Sequence, residues 1–324
     1  MRSSTALTVA LVALVACAGL ATAQQSTTYQ VLQDLYESTG GDRWTINHNW
    51  LTGEPCPDGK WYGVICNVDD PVSIQLNNNN LVGTIPTGLG QLKQLIEINF
   101  GGNQLTGSIP SDIGSLSQLH SFFLYNNQLT GTIPTTFSSL SNIMDMVLKE
   151  NQLSGTIPTM GGGQTGTIDL SSNLLTGNVP SSFGGLRQLQ DVDLSDNLLT
   201  GTIPSELGDV PYMYSLDLSN NQLTGSIPSS LANIASLSDL SLAFNGLTGT
   251  IPAALGNVDT MAELLLQNNE LTTPLPAFLQ TDPGYYVDLQ NNDFDCQQVP
   301  AWCSSPPTGN GMCEPCSNST MVAF

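Results

Sequence analysis

Asp169, Asp193 and Asp217 recur at a step of 24 residues, and Asp145, Asp191, Asp239 and Glu263 fall two residues ahead of the same frame. Extended segments stacked side by side lie ~4.8 Å apart, which brings such carboxylates within Coulombic reach of one another. The chemistry of a row like this is attraction of cations, whether Ca2+ or the Lys and Arg side chains of a partner. Glycoside hydrolysis needs two carboxylates facing a single bond, and these are periodic rather than paired. The plainer reading is that Asp in the phrase Leu-Asp-Leu-Ser is a solvated repeat default. Against it, like charges stacked in a ladder destabilise unless something compensates them, which predicts a basic or divalent partner.

Other catalytic chemistry finds little support. The two histidines, His48 and His120, have no nucleophile placed beside them by any motif, and no G-x-S-x-G, H-E-x-x-H or P-loop pattern is present. Gly161 to Gly166 spells G-x-G-x-x-G, but without the strand and helix that a dinucleotide loop requires. The chain is therefore expected to be a binding protein without cofactor, resident metal or enzymatic activity.

The carboxylates are positioned by a repeat. Asn79, Asn103, Asn127, Asn151, Asn173, Asn197, Asn221, Asn245, Asn269 and Asn292 follow one another at 24 residues, save steps of 22 into Asn173 and 23 into Asn292. Around each runs L-x-L-x-x-N-x-L-x-G-x-I-P, a period that marks stacked supersecondary units. Alternating leucines such as Leu216 and Leu218 predict a short strand with every second side chain inward. The Asn follows where the chain leaves the strand, and its amide donates to and accepts from backbone groups that a buried turn would orphan. Too few residues follow each Pro for a full helix, so 3-10 or irregular turns are expected on the convex side. The predicted fold is an α/β repeat solenoid: a right-handed superhelix, a parallel sheet on its concave face, and ten repeats over 73–292.

In that frame the letters beside the strand leucines face outward. Phe123, Tyr125 and Val147 form an apolar patch on neighbouring coils, with Phe244 and Leu265 further along. Exposed aromatics among polar residues are hot-spot material. Met160 to Gly166 drops two residues and the convex leucines, which predicts a flexible or bent joint.

No coil buries its leucines alone, so the ends must be capped. Residues 24–72 form the front cap: Thr27 with Gln30 makes a capping box, Leu32, Leu35 and Tyr36 keep helical spacing, and Gly40-Gly41 stops the helix. Trp44, Trp50 and Trp61 cover the first coil, with Cys56 and Cys66 as the staple. Residues 293–316 close the other end. Residues 1–23 read as an export signal: Met1-Arg2, an apolar run from Ala6 to Leu20, and the Ala21-Thr22-Ala23 cleavage pattern. The run is short of the ~20 residues a membrane span needs. Removing it takes away Cys17, one of seven cysteines, and leaves Cys56, Cys66, Cys296, Cys303, Cys313 and Cys316. An even number confined to the ends points to disulfides in an oxidising compartment, although Cys313 and Cys316 with Cys296 and Cys303 also have zinc-like spacing. Asn318 heads a glycosylation sequon in a tail, 317–324, expected to be flexible.

Charge excludes some partners. Six basic against 27 acidic residues give −21, and losing Arg2 takes one more positive charge. Such a surface repels phosphate backbones and anionic lipids, so nucleic acid and membrane insertion are not expected. Basic proteins, cations and neutral polymers remain.

The L-x-G-x-I-P signature resembles the plant-type leucine-rich-repeat class. The segment Trp44 to Cys66, with Pro55-Cys56 and Trp61-Tyr62-Gly63-Val64-Ile65-Cys66, looks like the N-terminal cap of that class. Size, coil number and terminal cysteine pairs are similar to polygalacturonase-inhibiting proteins and receptor-like protein ectodomains. The resemblance implies Cys296–Cys303 and Cys313–Cys316 pairs. It also implies a secreted module that binds an extracellular protein on its concave face, as a hydrolase inhibitor or a surface-sensing component. Two other classes stay open: a matrix or adhesion protein gathering Ca2+ or polysaccharide, and adsorption to ice through regular polar rows.

Overall fold

The computed structural model describes residues 27–56, 60–161, 163–280 and 284–295. The export signal, Cys296, Cys303, Cys313, Cys316, Asn318 and the tail lie outside these.

The leucine frame becomes an eleven-stranded sheet. Val64–Asn67 runs antiparallel to Asp70–Gln75. From there the sheet is parallel, one three-residue strand per coil, through Glu97–Asn99, Ser121–Phe123, Asp145–Val147, Thr167–Asp169, Asp191–Asp193, Ser215–Asp217, Asp239–Ser241, Glu263–Leu265 and Tyr286–Asp288. The middle residue of each strand points inward: Ile98, Phe122, Met146, Ile168, Val192, Leu216, Leu240 and Leu264 are sealed from solvent in one continuous core. A second parallel sheet of six strands, from Ser154–Thr156 to Glu270–Leu271, forms after each Asn turn.

Short 3-10 helices occupy the far side, among them Ser111–Ser115, Thr135–Ser139, Ser181–Gly185 and Ser205–Asp209, each entered from a proline whose φ near −65° suits the turn. Strands pack at ~4.8 Å, closer than helices can, so the eleven-stranded sheet takes the concave side.

The short coil interrupts only the helical side. Strand Thr167–Asp169 pairs in register with Asp145–Val147, and Leu174–Gly177 with Ser154–Thr156. Both sheets thus run through the coil, and the expected joint is confined to the convex edge. There a Cβ on Gly161 would stand 2.3 Å from the Ser138 carbonyl oxygen, so only glycine lets the shortened loop lie this close.

At the front, α1 (Thr27–Ser38) buries Val31, Leu32 and Leu35. Gly40 takes φ +70° beyond its end. Trp44, Trp50 and Trp61 are buried, and a Cys56–Cys66 disulfide ties the loop to the first strand.

Candidate binding face of the eleven-stranded sheet

Each ladder Asn from Asn103 onward clamps at least four backbone groups. Asn197 Oδ1 accepts from the Leu175 N–H at 3.0 Å, and its Nδ2 donates to the carbonyls of Leu170, Leu194 and Ser195 at 3.0–3.2 Å. The amides do not bond to each other: each one ties its own turn to the coil before. The same pattern recurs from Asn103 to Asn292. Asn79, the first, exchanges two bonds with Ile46 of the front loop. The residue ahead of each ladder Asn is left-handed, with φ between +51° and +66° at Asn78, Gly102, Asn126, Glu150, Ser172, Asp196, Asn220, Phe244, Asn268 and Asn291. Asn, Asp and Gly tolerate this conformation, and Phe does not.

The ladder holds the outward columns in line. Asp145, Thr167, Asp191, Ser215, Asp239, Glu263 and Tyr286 are consecutive partners across the sheet, as are Val147, Asp169, Asp193, Asp217, Ser241, Leu265 and Asp288. The predicted carboxylates therefore share one face. Phe123 pairs with Val147, and the ring of Tyr125 lies over Gly101, where an added Cβ would stand 2.3 Å from it.

Three expectations change. Asp169 is not a free docking group: it is 8% exposed, its Oδ1 accepts from Ser171 N and Oγ at 3.2 and 2.7 Å, and its Oδ2 receives Lys149 Nζ at 2.8 Å. The ladder carboxylates do not wait for an outside cation, because part of the compensation is internal. Asp193 Oδ1 accepts from Ser195 N and Oγ at 2.9 and 2.6 Å, and Asp217 Oδ1 from Ser219 N at 2.8 Å. These bonds cap the turn that leaves each strand, the ordinary use of a short acidic side chain. Phe244, lastly, stands at the rim beside Asn245 rather than on a strand, and is 49% exposed.

Asp191 and Asp193 keep an electrostatic cost in spite of the bonds from Ser215 and Ser195. Burial raises both carboxyls above the usual carboxylate value, with neighbouring aspartates adding to the effect. Burial raises Asp288 in the same way. The charge of Asp191 pushes the Tyr214 phenol up, with burial and the charge of Asp239 adding to it. A cation brought to this face would relieve the penalty.

Several residues of the face escaped the sequence reading. Ile96 and Met144 are 42% and 44% exposed at strand entries, and Ile65 is 48% exposed on the first strand. They enlarge the apolar half around Phe123, Tyr125 and Val147. The signal for Ile96, Met144 and Tyr214 was one more column, immediately ahead of each strand. His120, in that column, turns its Nδ1 to the Gln118 carbonyl at 2.7 Å. Lys149 had no signal beyond its charge.

Comparisons with known proteins agree with this architecture. A family model described as Leucine rich repeat matches residues 165–223, and a second Leucine Rich Repeat model matches 94–116, 118–140, 213–234 and 236–258. A probable leucine-rich repeat receptor-like protein kinase of Arabidopsis thaliana is 40% identical over 52 residues, 16% of this chain and 5% of that protein. The ectodomain of the plant membrane receptor kinase GASSHO1/SCHENGEN3 from Arabidopsis thaliana was solved in complex with Casparian strip integrity factor 2. It is 32% identical with a TM-score of 0.76, over 83% of this chain and 32% of that one. The chain thus spans well under two thirds of both. A plant ice-binding protein is 25% identical with a TM-score of 0.63, over 90% of this chain and 99% of that one. The chain carries leucine-rich repeats and has the solenoid fold of plant leucine-rich-repeat ectodomains.

Proposed function

We propose that this chain is a secreted, non-enzymatic recognition module that holds an extended segment of a protein ligand across the open face of its eleven-stranded sheet. One observation carries the reading. The face is amphipathic from end to end: exposed and half-exposed apolar side chains lie over the early coils, with Ile65, Ile96, Phe123, Tyr125, Met144 and Val147, and carboxylates lie over the later ones. Exposed aromatic and aliphatic side chains grouped on a rigid scaffold are where binding energy concentrates. The receptor ectodomain with the similar fold was solved bound to its protein factor, which supports a protein ligand here. Ala21-Thr22-Ala23 and the disulfide of the front loop support export. Defence against a hydrolase, or sensing of another cell's surface, are the roles such a module fills.

The test is capture of secreted proteins by immobilised mature chain, with crosslinking to map the contact. Phe123→Arg combined with Val147→Arg is expected to cost about 2 kcal/mol or more, some thirtyfold in affinity. Thr136→Arg on the helical side is expected to change nothing. Equal capture by all three forms refutes the reading.

A second reading has its own observation. In the six-stranded sheet the exposed Thr200 and Thr224 donate their hydroxyls to the carbonyls of Gly177 and Gly201, one coil back, at 3.4 Å. In the separate two-stranded sheet Thr106 does the same with Gly83 at 3.1 Å. Hydroxyls held in rows form a preordered polar surface, and a plant ice-binding protein matches nearly all of the chain. Adsorption to ice on this face predicts thermal hysteresis that Thr200→Tyr with Thr224→Tyr abolishes; its absence in the parent chain disposes of the idea. The matrix reading, with Ca2+ or polysaccharide, rests on net charge. Among the described residues no group of three His, Cys, Asp or Glu is placed to hold a metal ion.

A further inference from the structure

Phe244 and Gln267 are each anomalous, and they are neighbours. At the left-handed position before a ladder Asn, other coils hold Asn, Asp, Ser or Gly, with Glu150 the only other long side chain. Phe244 takes φ +53° there and leaves its ring 49% exposed. A bulky side chain in this region is strained, and nothing in the packing of the core asks for it. Its N–H donates to the Gln267 carbonyl at 2.9 Å, so the two residues lie on adjacent coils. Gln267 Oε1 is the one buried side-chain polar atom among the described residues that has no hydrogen-bond partner. Gln267 lies two residues beyond the strand Glu263–Leu265, in the column where earlier coils place Ser195 and Ser219. The residue before Phe244 is Ala243, where the coils before it place Ser171, Ser195 and Ser219, so no hydroxyl is available there to meet the amide.

We infer that this rim is a seat for an arginine side chain of the ligand, its guanidinium stacked on Phe244 and donating to Gln267 Oε1. The inference rests on the proposed recognition face and names part of what that face takes. A guanidinium is planar, stacks on aromatic rings, and carries five donors in a fixed fork. It can therefore meet a ring and a neutral acceptor at once. An aliphatic side chain would leave the amide oxygen orphaned. A lysine ammonium is a compact, strongly hydrated point charge that gains little from the ring. The chain already shows the ammonium solution elsewhere, where Lys149 meets Asp169 with no aromatic involved. Binding requires the Gln267 terminal amide to turn its buried oxygen out to the rim.

The experiment compares hexa-arginine with hexa-lysine by calorimetry on the mature chain at about 0.15 M salt, where long-range attraction by net charge is screened beyond ~8 Å. Hexa-arginine is expected to bind about tenfold more tightly. Phe244→Asn and Gln267→Leu should each bring the ratio close to one while leaving hexa-lysine binding unchanged. Phe244→Asn should also fold normally and melt no lower than the parent, because Asn suits the left-handed backbone. Equal binding of the two probes by the parent chain, or an arginine preference that survives Phe244→Asn, overturns the assignment. The two proposals fail separately: capture insensitive to the Phe123 and Val147 substitutions sinks the open-face reading, whereas the probe ratio reads the guanidinium seat directly.

Discussion

Asn197→Ala is expected to destabilise the chain by about 3–5 kcal/mol in denaturant unfolding, a large loss for a single polar side chain. The substitution removes little apolar surface, so cavity formation is a minor part of the effect. The main cost is four backbone groups left without a partner inside a dry turn: the Leu175 N–H and the carbonyls of Leu170, Leu194 and Ser195. Each orphaned group carries a desolvation penalty of about 1–3 kcal/mol, partly relieved where water can follow. Asn142 offers the control. Its amide donates to the Ser117 carbonyl at 2.8 Å from an exposed position, and water replaces that bond on substitution. Asn142→Ala should therefore cost about 0.5 kcal/mol or less. Comparable losses at the two sites would mean that the ladder contributes no more than a surface hydrogen bond.

The ladder and the leucine frame were legible because they depend on residue type alone. Every coil must turn the same apolar face inward, and every turn must satisfy the same orphaned groups, so Leu216, Leu218 and Asn221 announce their roles by position. The columns of the open face followed from the same periodicity, and Asp191, Asp193 and Asp217 do share it. What the letters could not convey was which carboxylate is already satisfied. Lys149 belongs to one coil and Asp169 to the next, and their ion pair depends on where a flexible four-carbon stem settles. The serine caps of Asp169 and Asp193 are local enough to have been read from D-L-S. They turn an apparent charge defect into a turn device. Phe244 was assigned to the open face by its letter, whereas its backbone conformation puts it at the rim. The row of Asn, Asp and Gly ahead of the ladder carried that information, since these are the residues that accept φ above +50°.

Trp50→Ala should cost about 3–5 kcal/mol, and the loss should be local. Trp50 is the centre of the front cluster, with ring centroids 4.8 Å from Trp44, 4.9 Å from Trp61 and 5.8 Å from Tyr36. Its indole N–H donates to the Tyr62 carbonyl at 2.9 Å. Removing it opens a void that three rings cannot close without losing their own contacts, and it loosens the loop through which Ile46 holds Asn79. In a stacked array each coil is stabilised by its neighbours, so damage at the end exposes the first coil before it reaches the others. Hydrogen exchange should then show faster amides around Ile74, Leu76 and Leu81, all sealed in the parent, with the strand at Leu240 close to its parent rate. Denaturant unfolding should separate into an early and a late step. Asn197→Ala breaks the stack in its middle and should instead accelerate exchange on both sides of its coil. Uniform acceleration along the whole chain in the Trp50 variant would mean that the molecule unfolds as one cooperative body, and that the aromatic cluster acts as part of a single core rather than as a lid on the first coil.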